Sequence, residues 1–585
     1  MDISEYEHVA MNLDDYRESK EWKNLIEESK RFIGVVESVS ESPCSMLLYD
    51  KPVRRKIGIV RTKTRMCCIL DGYNCDKYKY LKNDYLTTTV WDIISKVCNL
   101  ANIKIPSIME LESMLDEKTF AIYDRGLTCT INQVDSEWAT GLIQRFKPRS
   151  LKDMSGFVAI VRPGCASLLD DYIDRKPYTT GVESLDEILT DGAHRMIYQE
   201  LIMKYLIWLG IKETGSYDII KKIAKKKFKE VELSALKKEL EAGWIKQVCE
   251  IKGFAETWQV VQDAAKYSFN ASHSLSYALD SLYGAYLKAH YPLEYYTVVF
   301  ETYADDFKRT ARLTKECACF GIKLESAKFG MSGAGYIMDR ENNTIYKGVQ
   351  AIKDLNSAVG DEMYVLRTNT YHNFIELLFD INTKTSADKT KVVALIKVGF
   401  FDEYGDINYL LACYDLFRKY VKTDGKVRKQ FDKNSLDSIS YSIIKKYSAK
   451  ETEKQFKEVN IPAVLNELAK HLEYDKCTLS EKCGYQLELL GYVDIKDDKY
   501  SGLGYVVEIN TKYTPRLTIY SLKNGTNIQC KIPKRIFNMN PIKEGNIVRI
   551  GKTEYKPKQK FVDNEWVPVE GSKELWVNTY RKINI

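Results

Sequence analysis

The chain of 585 residues exceeds the size at which one hydrophobic core keeps growing, so about three to five domains are expected. Its composition is 44% hydrophobic and 29% charged, and without an apolar run of roughly 20 residues or a signal-like N-terminus, we expect neither a membrane protein nor a secreted one. The net charge of +6 weakly supports nucleic-acid binding, and 14 cysteines without a C-x-x-C pair predict reduced thiols, with neither disulfides nor structural zinc.

The N-terminal region is predicted to change from helix to strands near residue 33. An amphipathic helix is expected over 13–33, and strands over 33–39, 44–49, 56–60 and 66–70. Alternation along a further strand over 77–86 puts four polar or aromatic side chains on one face, namely Tyr78, Tyr80, Lys82 and Asp84. A helix is expected over 87–101. A carboxylate such as Asp84 at the end of a strand is usually a cap or a solvated residue.

Four short motifs and a lysine run follow. The motifs are N-Q-V-D-S-E-W from Asn132, Arg162-Pro163-Gly164, Y-I-D-R-K from Tyr172 and I-Y-Q-E from Ile197. In the run K-K-I-A-K-K-K-F-K, five lysines fall on adjoining stripes of a predicted helix: Lys221 with Lys225, and Lys222 with Lys226 and Lys229. Such a run is more often a solvated face than a binding site.

The stretch from Tyr267 to Tyr295 is predicted to begin as a loop and continue as a helix. Polar residues crowd around His273 in its first half, whereas Leu279, Leu282 and Tyr283 begin a helical spacing in its second half. Pro292 ends the pattern after two residues that place positive charge at the helix end, Lys288 and His290. Periodicity alone fits an ordinary buried helix with a polar N-cap.

The order of residues in this stretch is more informative than its periodicity. F-N-x-S-H-S-x-x-Y-A followed by L-K-A-H-Y-P-x-E-Y closely resembles the fingers of the C-family bacterial replicative DNA polymerases, represented by the α subunit of DNA polymerase III. The four motifs stand in that family's order at compatible spacings. The strand carrying Lys82 and Asp84 resembles the family's L-x-K-F-D-F-L strand, which brings the third palm aspartate to the active site.

The resemblance implies a set of site residues. Asp84 and Lys82 would be catalytic, with Asp84 a ligand in a site for two Mg²⁺ ions, which needs several converging carboxylates. The nucleotide-binding candidates are Arg162, Lys221, Lys222, Asn270, Ser272 and His273. The DNA-binding candidates are Lys225, Lys226, Lys288, Lys353, Lys397, Lys531 and Arg535.

The C-terminal part continues the resemblance. Residues 345–359 and 395–405 look like the family's two helix-hairpin-helix units, with Asp354 and Asn356 where the first hairpin has glycines. Two segments are candidates for a sliding-clamp peptide, Cys413–Phe417 and Gln430-Phe431. Strands near 505–510, 516–522, 526–532 and 546–555, a type I′ turn at Asn524-Gly525 and a short helix at 534–537 predict a five-stranded OB barrel. Lys512, Arg516, Lys531, Lys534, Arg535 and Lys552 would follow a single strand, and Tyr505, Tyr513, Tyr520 and Tyr555 would stack its bases.

We therefore expect a multidomain α+β chain with the end of a polymerase palm, large mostly helical fingers, a helix-hairpin-helix region and a C-terminal OB-type β barrel. The expected boundaries are listed in chain order: 1–33, a helical, thumb-like lead-in; 34–95, palm segment; 96–330, fingers; 331–475, helix-hairpin-helix and clamp-proximal region; 476–503, linker; 504–585, OB fold.

The expected function is template-directed addition of deoxynucleotides to a primer 3′-hydroxyl in DNA replication. Residues 1–76 contain no Asp-x-Asp segment and no Gly-Ser loop of the family type, so a second polypeptide is expected to supply the other aspartates in a split enzyme. The alternative is a non-catalytic DNA-binding or replisome-assembly protein derived from a polymerase. Expected partners are primer-template DNA, a dNTP, the second polypeptide and a sliding clamp, in the cytoplasm of a bacterium or an infected bacterial host and without a membrane.

Overall fold

The computed structural model describes residues 24, 27–33, 35, 40–42, 44–49, 56–62, 65–85, 88–224, 228–267, 269–422, 425–562 and 565–585. The chain divides into two compact units, Met1–Thr89 and Val90–Ile585. Most of the predicted helix over 13–33 and nearly all of the predicted strand over 33–39 lie outside the described residues.

The first unit contains short strands and one short helix. Its elements are β1 (Ser45–Leu48), β2 (Ile59–Arg61), β3 (Met66–Cys68), α1 (Gly72–Lys77) and β4 (Leu81–Asp84), after a 3₁₀ turn at Lys30–Phe32. β1 pairs with β4, and β2 with β3, both antiparallel. The strand predicted over 77–86 begins later than expected, because α1 continues to Lys77 and Lys79 has a left-handed φ of 57°. Tyr78 is therefore not on the strand that carries Lys82 and Asp84.

The second unit begins with a large helical region. Its helices are α2 (Thr89–Leu100), α3 (Ile108–Met114), α4 (Glu117–Asp124), α5 (Glu137–Phe146), α6 (Leu151–Ile160), α7 (Leu169–Ile173), α8 (Glu183–Ile188), α9 (Gln199–Trp208), α10 (Glu213–Ala224), α11 (Glu230–Val248), α12 (Phe254–Tyr267), α13 (Ala271–His290), α14 (Pro292–Thr302) and α15 (Phe307–Ala318). The predicted helix over 87–101 corresponds to α2.

Helix α13 lies at the centre of this region and packs against α4 and α6. Its residues Leu282 and Leu287 are completely buried, and Tyr123 of α4 reaches Ser281 of α13 with an O–O distance of 3.0 Å. Pro292 follows α13 and begins α14, because proline is tolerated in the first turn of a helix but not inside one.

Smaller elements follow up to residue 490. They are β5 (Lys323–Glu325), β6 (Ile337–Asp339), β7 (Thr344–Tyr346), α16 (Ser357–Leu366), α17 (Phe374–Lys384), α18 (Lys389–Lys397), α19 (Ile407–Tyr420), β8 (Gln430–Asp432), α20 (Ser438–Lys446), β9 (Ser448–Glu451), β10 (Gln455–Val459), α21 (Ile461–Leu468) and α22 (Leu479–Leu490). The strands form two three-stranded sheets, ordered β5-β7-β6 and β8-β10-β9. Among the described helices, none is both long enough and apolar enough to traverse a bilayer.

The C-terminal part is a curled sheet of seven strands. Its elements are β11 (Leu503–Asn510), β12 (Arg516–Ser521), β13 (Thr526–Lys531), α23 (Lys534–Met539), β14 (Ile547–Ile550), β15 (Thr553–Val562), β16 (Glu565–Val577) and β17 (Tyr580–Ile583), and the strand order is β15-β16-β13-β12-β11-β14-β17. The prediction of five strands is wrong, because the stretch over 546–555 divides at Gly551, whose amide bonds the carbonyl of Thr579, and two more strands follow.

The turn between β12 and β13 also differs from the prediction. The last cross-strand pair is Ser521 with Thr526, so four residues make the connection rather than the two of a type I′ turn. Gly525 supplies a left-handed φ of 67° within it. The short helix α23 is confirmed. A mostly helical chain with this sheet at its C-terminal end agrees with the expected α+β class.

Candidate active site

Asp84 ends strand β4 with an exposed carboxylate. Ser45, directly opposite on β1, donates a hydrogen bond of 2.6 Å to Oδ1, and the Lys82 ammonium lies 2.8 Å from Oδ2 and 3.1 Å from Oδ1. The strand alternation places Lys82 and Asp84 on one face, as predicted. Hydrogen bonds from Lys82 and then from Ser45 hold the pKa of the Asp84 carboxyl below its ordinary value. The group is therefore an ionised oxygen donor that solvent can reach.

A magnesium pair requires more than this one carboxylate. In the described part of the chain, no group of three or more His, Cys, Asp or Glu side chains is arranged to hold a metal ion. Both oxygens of Asp84 already accept from Lys82, and a single Asp can neither neutralise nor position two divalent cations. The described donors by themselves do not fit a two-metal site.

Helix α13 begins earlier than predicted, so Ser272 and His273 lie in its first turn and not in a loop. Asn270 is the N-cap, and its Oδ1 accepts from the backbone amide of His273 at 3.1 Å and from Ser272 Oγ at 2.5 Å. The polar composition that suggested a loop instead supplies the helix cap.

Four of the six nucleotide-binding candidates come together around Phe269. The Arg162 guanidinium lies 4.3 Å from the centre of the Phe269 ring, and the His273 ring lies 4.9 Å from it. Arg162 also donates to Gln133 Oε1 at 2.8 Å. Asn270 and Ser272 adjoin His273 in the cap of α13. We call Arg162, Phe269, Asn270, Ser272 and His273 the Phe269 cluster.

The other two nucleotide candidates lie on α10. Lys221 and Lys222 are exposed, and their ammonium groups lie 5.7 Å from the ring centre of Tyr217 and 5.6 Å from that of Phe228, respectively. The DNA candidates Lys225 and Lys226 lie outside the described residues.

The side chain of Lys288 is completely buried, which argues against the predicted contact between this residue and DNA. The ammonium group forms an ion pair of 2.7 Å with Glu316 and donates to the carbonyls of Leu127 and Cys129 at 2.9 and 2.6 Å. All three N–H groups therefore bond inside the protein. Desolvation lowers the pKa of Lys288. Its position at the end of α13 suggested a surface cation, but α15 brings Glu316 over it.

The remaining DNA candidates differ in exposure. Lys353 and Arg535 are exposed. Lys397 lies 4.0 Å from Glu488 and 4.8 Å from the ring centre of Tyr485, and Lys531 pairs with Glu574 at 2.5 Å. Of the four tyrosines expected to stack bases, Tyr513 and Tyr555 are exposed, whereas Tyr505 and Tyr520 are buried and have no exposed ring to offer.

The two clamp-peptide candidates do not present their aromatic side chains. Tyr414 and Phe417 are buried on the packed face of α19, and Phe431 is buried in β8. A peptide that inserts apolar side chains into a partner would need them exposed.

Sequence reasoning assigned no role to three residues that build the Phe269 cluster. Gln133 holds Arg162, Phe269 supplies the ring beneath it, and Glu200 accepts hydrogen bonds from Asn270 Nδ2 and the amide of Ala271. All three belong to motifs that carried the resemblance. Their place in those motifs could have pointed to these residues. Their mutual contacts could not be predicted, because they join residues that are far apart in the sequence.

Part of the chain matches a known protein family. Residues 90–247 match the family described as Bacterial DNA polymerase III alpha subunit finger domain. The helical region that carries Arg162 is therefore similar to the finger domain of that family.

Similarity extends beyond that domain. DNA polymerase III subunit alpha of Aquifex aeolicus (strain VF5) is 28% identical over 400 residues, which cover 66% of this chain and 34% of the relative. The Bacillus subtilis (strain 168) protein of the same name is 26% identical over 436 residues, 72% of this chain and 38% of the relative. The resemblance to the C-family bacterial replicative polymerases is confirmed, and the chain spans about a third of the length of these relatives.

Proposed function

We propose that this chain is part of a DNA-directed DNA polymerase of the bacterial replicase type, which adds deoxynucleotides to a primer 3′-hydroxyl in DNA replication. The observation that carries the proposal is the Phe269 cluster. The Arg162 cation of the matched region lies beside a ring, a hydroxyl and an imidazole that a second motif supplies, those of Phe269, Ser272 and His273. This is the chemistry that a nucleotide with its phosphates requires.

Each residue has a role in this proposal. Arg162 would bond phosphate oxygens through its planar donors, and Lys221 and Lys222 would add point charges. His273, Asn270 and Ser272 would line the nucleotide site. Lys82 would keep Asp84 ionised and oriented until the active site assembles.

The active site would be shared with a second polypeptide. Asp84 would supply one oxygen ligand for Mg²⁺, and two aspartates of the partner would supply the rest. When bound, the metal pair would neutralise the charge that develops on the nucleotide phosphates. The relatives reported above are bacterial proteins. The polymerase would therefore act in the cytoplasm of a bacterium or an infected bacterial host.

The remaining regions would hold DNA. We propose residues 1–33 as a thumb-like lead-in, 34–95 as the palm segment, 96–330 as the fingers and 331–475 as a helix-hairpin-helix region, followed by a linker over 476–503 and an OB-type domain over 504–585. Two positive-φ glycines, Gly399 and Gly405, lie between α18 and α19 and support the hairpin assignment. Lys353, Lys397, Lys531 and Arg535 would contact backbone phosphates. The burial of Phe417 and Phe431 argues against clamp binding through either candidate peptide.

The alternative is a DNA-binding assembly protein without catalysis, which the ion pair between Lys82 and Asp84 favours, since it occupies the carboxylate. Primer extension separates the two. The chain is assayed alone and together with the product of a neighbouring reading frame that encodes an Asp-x-Asp segment. The proposal expects extension only from the mixture. Binding of primer-template without extension in any such mixture would favour the alternative.

A further inference from the structure

Glu200 makes two hydrogen bonds to a segment 70 residues further along the chain. The carboxylate, in the first turn of α9, accepts from Asn270 Nδ2 at 2.6 Å and from the backbone amide of Ala271 at 2.9 Å. Asn270 is the N-cap of α13, and Ala271 is the first residue of that helix. Glu200 therefore bonds both the cap and the helix start.

Two residues that precede Glu200 in the sequence bond the segment just before α13. The amide of Gln199 donates to the carbonyl of Phe269 at 3.1 Å, and Tyr198 forms a parallel bridge with Phe269. Three consecutive residues before and within α9 thus bond three consecutive residues before and within α13. The ring of Phe269 and the cap of α13 have a common support.

The side chain of Asn270 has two different ends, and Glu200 selects between them. An ionised carboxylate can only accept, so it must face the amide nitrogen of Asn270. The amide oxygen then points to the His273 amide at 3.1 Å and to Ser272 Oγ at 2.5 Å. The orientation of one amide fixes two of the nucleotide candidates.

Glu200 also affects where phosphate can bind. The N-terminus of a long helix attracts anions through its free amides. Here the carboxylate of Glu200 occupies the amide of Ala271, and Asn270 occupies that of His273. Two of the first three amides of α13 are therefore already bonded to side chains.

We propose that Glu200 is a positioning residue of the nucleotide site, which acts through Asn270 and Ala271 to hold Ser272 and His273 in place. This inference rests on the proposed function. It requires that the loss of the carboxylate weaken nucleotide use specifically, and not merely loosen the fold.

The test is Glu200→Gln in the full chain, assayed in the primer-extending mixture. The new side chain keeps one oxygen acceptor, but its NH₂ group faces either Asn270 Nδ2 or the Ala271 amide, which are both donors. The KM for dNTP should rise about tenfold, as for the loss of a hydrogen bond to a charged group, while the KM for primer-template stays unchanged. Glu200→Asp keeps the charge on a shorter stem and should raise the KM less, and it replaces the first variant should that one fail to fold.

Glu481→Gln is the matched control. Glu481 accepts from the amide and the hydroxyl of Thr478 at 2.7 and 2.8 Å at the start of α22, which carries no nucleotide candidate. Glu481→Gln should lower the melting temperature about as much as Glu200→Gln does, but it should leave the KM for dNTP unchanged. Equal melting effects with no change in KM for either variant would overturn the proposal.

Amide hydrogen exchange gives a readout without activity. The amides of Ala271 and His273 should exchange faster in Glu200→Gln, and dNTP with primer-template should slow them in the wild type. Faster exchange with an unchanged KM would show a purely structural role and would overturn the inference. A wild-type protein that neither extends primers nor shows nucleotide-dependent protection would overturn the proposed function instead.

Discussion

The two candidate functional regions of the chain are built in different ways. Asp84 is held only by Ser45 and Lys82, which belong to the same two-stranded sheet, and it remains exposed. The Phe269 cluster is held by residues from distant parts of the chain, including Gln133 and Glu200. In the proposed split enzyme, the first region would offer one donor for a partner to complete, whereas this chain orders the second region by itself.

This contrast indicates which part of the chemistry the chain can organise alone. Contacts between sequence-distant residues fix side chains before a ligand arrives and so reduce the entropy lost on binding. A single exposed ion pair contributes little and is easily exchanged for another partner. Nucleotide recognition should therefore survive separation from a second polypeptide, while catalysis should not.

The largest effect is expected at Asp84. Asp84→Asn removes the charge that a metal pair needs, and primer extension by the assembled enzyme should fall about 1,000-fold or more, since metal ions contribute several kcal/mol. Asp71→Asn is the control, because Asp71 is exposed in the same unit and only caps α1 through Asn74. Extension that survives Asp84→Asn would remove Asp84 from catalysis.

The next effect separates buried from exposed lysines. Lys288→Met leaves the buried Glu316 without its cation and should lower the free energy of unfolding by about 3 kcal/mol, as measured by urea denaturation. Lys221→Met should leave that free energy unchanged and raise the KM for dNTP. If Lys221→Met instead destabilised the protein with an unchanged KM, Lys221 would be a structural residue.

A smaller effect tests the geometry of the cluster. Arg162→Lys keeps the charge but loses the planar donors and the stacking on Phe269, so the KM for dNTP should rise about tenfold. Steady-state extension at saturating primer-template provides the measurement. An unchanged KM would mean that Arg162 serves only to pack against Phe269.

The smallest effect concerns the DNA-binding region. Glu488→Gln frees Lys397 from its ion pair and should tighten duplex binding about twofold at low salt, with the gain shrinking as salt is added. Glu473→Gln removes the same charge from another exposed position. Equal tightening in both variants would reflect net charge and would argue against a particular role for Lys397.

Local patterns predicted the elements but not their contacts. The apolar spacing after Thr87 was sufficient to identify α2, and the alternation after Leu81 placed Lys82 and Asp84 on one face. The burial of Lys288 could not be predicted, because Glu316 reaches it from another helix. Likewise, Ser272 looked like a loop residue until the Asn270 cap and its Glu200 support were visible. The extra strands of the C-terminal sheet follow from long-range pairing, which local alternation does not encode.

The most direct test of nucleotide recognition by this chain is photo-crosslinking with an azido-dNTP in the presence of primer-template and without a second polypeptide. Nucleotide recognition by the Phe269 cluster predicts that the label attaches within residues 269–277 and that Arg162→Ala removes most of it. Labelling confined to other parts of the chain, or labelling of residues 269–277 that Arg162→Ala leaves intact, would contradict it.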